Sequence, residues 1–178
     1  ALLFKILKFH KKDVRMIGNI GKPMLSVSHI KPNTIFVIEA SSYQIDYSKY
    51  FKTDHAIILN ISPDHLERHG TIQKYAHAKF KLILNQNKKS FAYIESGNKY
   101  LNNEIKKNNF KSNLIKIKKK NIKNFEKKIS NPYFKNINNL NKLFFILELG
   151  TKINLNKNII LKTVNFFKGL NFRQQVIL

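Results

Sequence analysis

At 178 residues the chain is long enough to bury one sizeable core, and its formal charge of +23 would ordinarily point to nucleic acid or an anionic membrane. Only Arg15, Arg68 and Arg173 are arginines among the 33 basic residues, and lysines mingle with asparagines from Asn85 to Asn158. The charge therefore reads as residue usage and a solvated lysine surface rather than as a nucleic-acid footprint. The absence of cysteine excludes disulfides and thiolate chemistry. No apolar run is long enough for a bilayer span and no signal-peptide pattern occurs, so a cytoplasmic protein without membrane insertion is the expectation.

Residues 1–9 read as an amphipathic helix with Leu3, Phe4 and Leu7 on one stripe. Nothing before Leu2 caps it, so the chain is expected to begin inside an element. Arg15-Met16-Ile17 predicts a short strand entering a tight loop, Gly18-Asn19-Ile20-Gly21. Thr34 to Ile38 and Ala56 to Leu59 are apolar, β-branched runs of the kind found in central parallel strands, and they end in Glu39 and Asn60. Thr71 is placed to cap a helix through Tyr75, Lys79 and Leu82 that stops at Asn85 to Lys89, and Ser90 to Ile94 is another strand. From Lys99 to Lys128 lysine and asparagine blur the periodicity, leaving only a strand near Leu114 to Ile117. Helices are predicted over Asn138 to Leu149 and Asn156 to Phe167, with Gly150 and Gly169 as their C-terminal stops. Strand, loop and helix in this recurring order predict an α/β fold with an open, mostly parallel sheet flanked by helices.

In such a sheet the strand ends face one crevice, and Glu39 and His65 both fall at or just beyond a strand end. Two readings are open. The pair could ligate a divalent metal, magnesium or manganese in preference to a structural zinc; or Glu39 caps the following helix and His65 makes a supporting hydrogen bond. Ser41, Ser42 and Gln44 fall at a helix N-terminus, where they either cap or bind carboxylate or phosphate oxygens. Asp64 beside His65 allows acid–base chemistry if the two side chains point together. Lys79 shares a helix face with Tyr75. His69 and His77 read as structural or exposed.

Taken together, these stretches resemble the central domain of the Mur ligases, the ATP-dependent amide-forming enzymes of peptidoglycan precursor synthesis. The resemblance rests on Gly18-Asn19-Ile20-Gly21, on Val37-Ile38-Glu39-Ala40-Ser41-Ser42-Tyr43-Gln44-Ile45, and on Asn60-Ile61-Ser62-Pro63-Asp64-His65-Leu66-Glu67-Arg68-His69-Gly70 followed by Tyr75 and Ala78-Lys79. The second run is most similar to that of the members that join D-glutamate to UDP-N-acetylmuramoyl-L-alanine. The tail agrees more loosely. Asn138-Asn139-Leu140-Asn141 resembles the opening of an ATP-site helix, with Ile137 where the family has histidine. Phe167 to Arg173 resembles the run leading to the C-terminal domain, with Asn171 and Phe172 departing from it.

The resemblance implies an acyl-phosphate ligase using ATP and Mg²⁺, acting as a monomer. Its catalytic residues would be Lys79, His65, Glu39 and Asp64. Glu39, His65 and a carbamylated Lys79 would hold metal; Asn19, Ser41 and Gln44 would contact UDP-N-acetylmuramoyl-L-alanine; Asn138, Asn141 and Arg173 would lie along the nucleotide. Residues 1–168 would form part of the central domain and 169–178 a linker into a truncated C-terminal domain. The family's phosphate loop, Gly-x-x-Gly-Lys-Ser/Thr, belongs immediately before Ala1 and has no equivalent in the 178 residues. An internal piece of a three-domain ligase, inactive by itself, is therefore expected. The alternatives are another Mur ligase or a folylpolyglutamate synthase-like enzyme, or a non-catalytic fragment.

Overall fold

A computed structural model describes residues 1–118 and 123–169, which fall into two compact units. The first unit comprises residues 1–39 with the described part of 119–178; the second is Ala40–Lys118. The first begins with α1 (Leu2–Phe9), β1 (Val14–Gly18) and β2 (Ile35–Glu39). The second holds α2 (Ser42–Tyr47), β3 (His55–Ile58), α3 (Leu66–His69), α4 (Ile72–Leu84), β4 (Phe91–Glu95), α5 (Lys99–Lys107) and β5 (Asn113–Ile117). The chain then adds α6 (Lys123–Glu126), α7 (Ile137–Lys152) and α8 (Lys157–Asn165) to the first.

Every strand pairing among the described residues is parallel, as the apolar runs predict. In the first unit β1 and β2 pair in a register that sets Gly18 beside Glu39. In the second, β3, β4 and β5 form a ladder in sequence order. The strand residues expected to form one sheet are thus distributed over a ladder in each unit. Each unit buries its own apolar core. In the first, Ile6, Leu7 and Val14 pack with Leu143, Ile160 and Val164; in the second, Ala56 and Ile94 pack with Phe80, Ile83 and Leu101. No helix among the described residues is long and apolar enough to cross a membrane.

Most boundaries follow local chemistry. Thr71 caps α4 by accepting a hydrogen bond from the Lys74 amide, and Asn85 ends that helix. Two features differ from the sequence reading. Gly150 does not stop a helix: α7 runs through it to Lys152, with Ile153 as its C-cap. A Cβ at Gly150 would lie 3.1 Å from Ile160 Cδ1, so the glycine serves the close approach of α7 to α8. Within the lysine- and asparagine-rich stretch, α5 forms because Asn98 caps it, accepting from the Leu101 amide, while Leu101 and Glu104 supply its buried face. Gly169, the other expected stop, takes φ +80° three residues beyond the C-cap Phe166.

His55 gives the second unit a pH dependence. It stacks on Phe91 and Tyr93, with Nδ1 3.0 Å from the Tyr93 hydroxyl. Burial lowers its pKa, opposed by the nearby Asp54 charge. The unfolded chain therefore holds this proton more tightly than the folded one. The stability contribution is complete above the unfolded pKa of about 6.5 and is lost as pH falls from there toward the folded value. The thermal midpoint should decline between pH 7 and pH 5, and His55→Asn should flatten that decline in scanning fluorimetry at matched ionic strength.

Candidate active site

The glycine loop of the first unit is a close-approach device. Gly18 and Gly21 adopt φ +100° and +93°, a region that only glycine enters readily. A Cβ at Gly18 would lie 2.3 Å from the Glu39 carbonyl oxygen, and one at Gly21 would lie 2.1 Å from that of Met16. With the side chains absent, the Asn19 amide donates to the Glu39 carbonyl at 2.9 Å. Two residues singled out from sequence, Asn19 and Glu39, are thereby brought together at the C-terminal ends of β1 and β2, both exposed. Glu39 does not cap α2.

That cap is Ser41. Its hydroxyl accepts from the Gln44 amide at 3.2 Å, while the Ser41 amide donates to Gln44 Oε1 at 2.9 Å, a reciprocal capping box. Ser41→Ala should cost about 1 kcal/mol of stability and Ser41→Gly only a few tenths, measurable as a urea midpoint shift at unchanged slope.

From this cap the second unit builds an aromatic and imidazole cluster. His65 sits in the left-handed region at φ 53°, a conformation that starts α3 sharply. Its amide donates to Asp64 Oδ1 at 3.0 Å, and its ring nitrogens lie 3.5 Å from Asp64 and 3.7 Å from Glu67. The neighbouring Asp64 and His65 side chains do point together. The His65 ring is 5.3 Å from Tyr43 and edge-on to Tyr75 at 6.2 Å. Lys79 Nζ stands 4.7 Å from the centre of the same Tyr75 ring, a cation–π contact. His65 and Lys79 therefore converge on one buried tyrosine. Lys79 has no acidic partner within 4 Å among the described residues. Burial raises the pKa of Tyr43, with the Glu67 charge adding to the effect and Arg68 opposing it, so Tyr43 remains a neutral phenol at neutral pH.

His69, which the sequence left as structural or exposed, ties the cluster together. Its Nε2 shares a 3.0 Å hydrogen bond with the buried Ser42 hydroxyl, and its ring stacks on Tyr43 at 3° and packs on Tyr75 at 5.3 Å. No local pattern in sequence marks it, because its partners come from other elements.

In the first unit α7 begins one step earlier than expected, capped by Asn136, which accepts from the Asn138 amide. Asn138 is exposed in the first turn. Asn141, one turn on, has a buried Oδ1 with no donor among the described residues. Arg173 lies outside the described residues. Among those described, no three His, Asp or Glu side chains are grouped to hold a metal. Glu39, in the first unit, offers an exposed carboxylate and His65, in the second, an exposed imidazole, both donor types that a divalent ion accepts.

Residues 6–156 match the model of the Mur ligase middle domain, and the chain belongs to that family. Its relatives narrow the likeness. It is 45% identical over 94 residues to the UDP-N-acetylmuramoylalanine–D-glutamate ligase of Phenylobacterium zucineum, covering 53% of this chain and 20% of that protein. It is 29% identical over 177 residues to the enzyme of the same name from Zymomonas mobilis, covering 99% of this chain and 40% of the relative. The chain thus spans well under half the length of these relatives. The fold is shared with MurF from Acinetobacter baumannii, at a TM-score of 0.72 and 12% identity over 99% of this chain and 45% of that one.

Proposed function

We propose that this chain is the central part of a cytoplasmic, monomeric, ATP-dependent ligase that joins D-glutamate to UDP-N-acetylmuramoyl-L-alanine in peptidoglycan precursor synthesis. The observation that carries this reading is the 45% identity to a ligase named for that reaction. The convergence of His65 and Lys79 on Tyr75 supports it. Residues 1–168 supply the central domain, and 169–178 lead toward a further one.

A carboxylate is a poor electrophile and an acyl phosphate a good one. The γ-phosphate of ATP therefore passes to the alanyl carboxylate with loss of ADP; the D-glutamate amine then attacks the acyl carbon, the C–O bond breaks, and phosphate leaves with formation of the amide. Glu39, His65 and a carbamylated Lys79 would hold Mg²⁺, which when bound supplies positive charge against phosphate oxygens. Carbamylation of Lys79 turns an ammonium into an anionic oxygen donor that would support a second Mg²⁺, Glu39 and His65 holding the first. Asp64 holds the His65 backbone and ring in place. Asn19, Ser41 and Gln44 contact the UDP-sugar substrate, with the capping box fixing the last two. Asn138, Asn141 and Arg173 serve the nucleotide.

The test is phosphate release by the full-length protein. Release should require ATP, Mg²⁺, UDP-N-acetylmuramoyl-L-alanine and D-glutamate together, while residues 1–178 alone, which contain no Gly-x-x-Gly-Lys-Ser/Thr, should release none. Release independent of the UDP-sugar would overturn the reading.

A further inference from the structure

We propose that the second unit carries a second ligand site, for a small phosphate-bearing molecule, between α3, α4 and α5. A groove of about 620 Å³ opens there, within the range of roughly 300–1,000 Å³ usual for small-molecule sites. At about 100° per residue, His77 in its wall lies nearly half a turn from both Tyr75 and Lys79; neither of those two lines the groove, although His69, which packs on Tyr75, does.

Its charge is one-sided once the internal pairs are removed. Asp46 is answered by Lys81 Nζ at 2.6 Å. Glu104, only 6% exposed, accepts from His77 Nδ1 at 2.9 Å and from Asn108 Nδ2 at 3.1 Å. Both carboxylates of the wall are therefore committed within the protein. Three cations remain, each from a different helix: Arg68 of α3, Lys74 of α4 and Lys107 of α5. None has an acidic partner within 4 Å among the described residues. The Arg68 guanidinium is held in place by the Tyr47 hydroxyl and by the faces of Tyr43 and Tyr47. A concave wall with one anchored guanidinium, two ammonium groups and its carboxylates already bonded within the protein suits an anion with several oxygens, which can accept charge-assisted hydrogen bonds from three directions.

On a chain this basic the rival explanation is attraction by the overall field, and the experiment is built to separate the two. Inorganic pyrophosphate is titrated into the complete chain while the ring ¹H–¹⁵N resonances of His77 and His69 are followed. The proposal expects saturable shifts at His77. It also expects affinity weakened about tenfold or more by Lys74→Gln with Lys107→Gln, against less than about twofold for Lys88→Gln with Lys89→Gln. The latter pair removes the same charge from an exposed turn of the same unit that does not line the groove. Equal weakening by both pairs would assign the binding to the general field and overturn the site. So would His77 resonances that stay unmoved as pyrophosphate rises, a result the unaltered chain gives even if the groove variant fails to fold.

Discussion

Replacing Lys79 with alanine in the full-length protein should lower the rate of amide formation by about 10²–10³-fold, the scale of removing one group that places charge against a transition state. The structure gives the substitution a clean reading. Lys79 is partly exposed and, among the described residues, pairs with no carboxylate and rests on the Tyr75 ring, so its loss should leave the fold intact. The discriminating variant is Lys79→Arg. It keeps the positive charge and the contact with the tyrosine but cannot form the lysine carbamate, and it should be impaired about as severely as the alanine variant. Added acetate should restore part of the alanine variant's activity by filling the vacated anionic position, with a dependence on Mg²⁺ that the arginine variant lacks. Initial rates at saturating ATP, with bicarbonate controlled, measure all three. Near-normal turnover by the arginine variant would reduce Lys79 to a useful positive charge.

The second large effect is on stability. Gly18→Ala should destabilise the first unit by roughly 2–4 kcal/mol, because it adds a backbone strain worth about 1–3 kcal/mol to a steric overlap that no side-chain movement relieves. The added Cβ would stand 2.3 Å from the Glu39 carbonyl oxygen, at a φ of +100°. The atom in the way is backbone within a parallel strand pair, so β1 and β2 must separate at their ends. That movement breaks the Asn19 to Glu39 hydrogen bond and displaces the two residues proposed to contact substrate and metal. Gly97 is the comparator. It has φ +90° but nothing within 4 Å of its would-be Cβ, so Gly97→Ala should show the backbone component alone, near 1 kcal/mol. Thermal unfolding of the two variants separates the terms.

The parts of this molecule legible in its sequence are those fixed by neighbours along the chain. Thr71, Asn85 and the Gly18–Gly21 loop announce themselves because caps and positive-φ turns are local events, and the apolar strands do so because their β-branched runs favour extended backbone. Gly150 misleads for the opposite reason. A glycine after a helical stretch looks like a stop until Ile160, ten residues on, is seen packing against it. Helix α5 hides in the Lys/Asn background, because its buried face needs little more than Leu101 and a Glu104 that is hydrogen-bonded by His77 from α4. The candidate site divides in the same way. Ser41 and Gln44 are readable as a cap from their spacing, whereas the role of His69 depends on Ser42, Tyr43 and Tyr75 meeting it across three helices.

The most direct measurement is a competition for the acceptor. The full-length protein, supplied with ATP, Mg²⁺, UDP-N-acetylmuramoyl-L-alanine and equal D-glutamate, L-lysine and meso-diaminopimelate, should yield a single new amide, whose mass is that of the D-glutamate adduct, with ADP and phosphate released in equal amounts. An amide formed with lysine or diaminopimelate in place of D-glutamate would contradict the assignment.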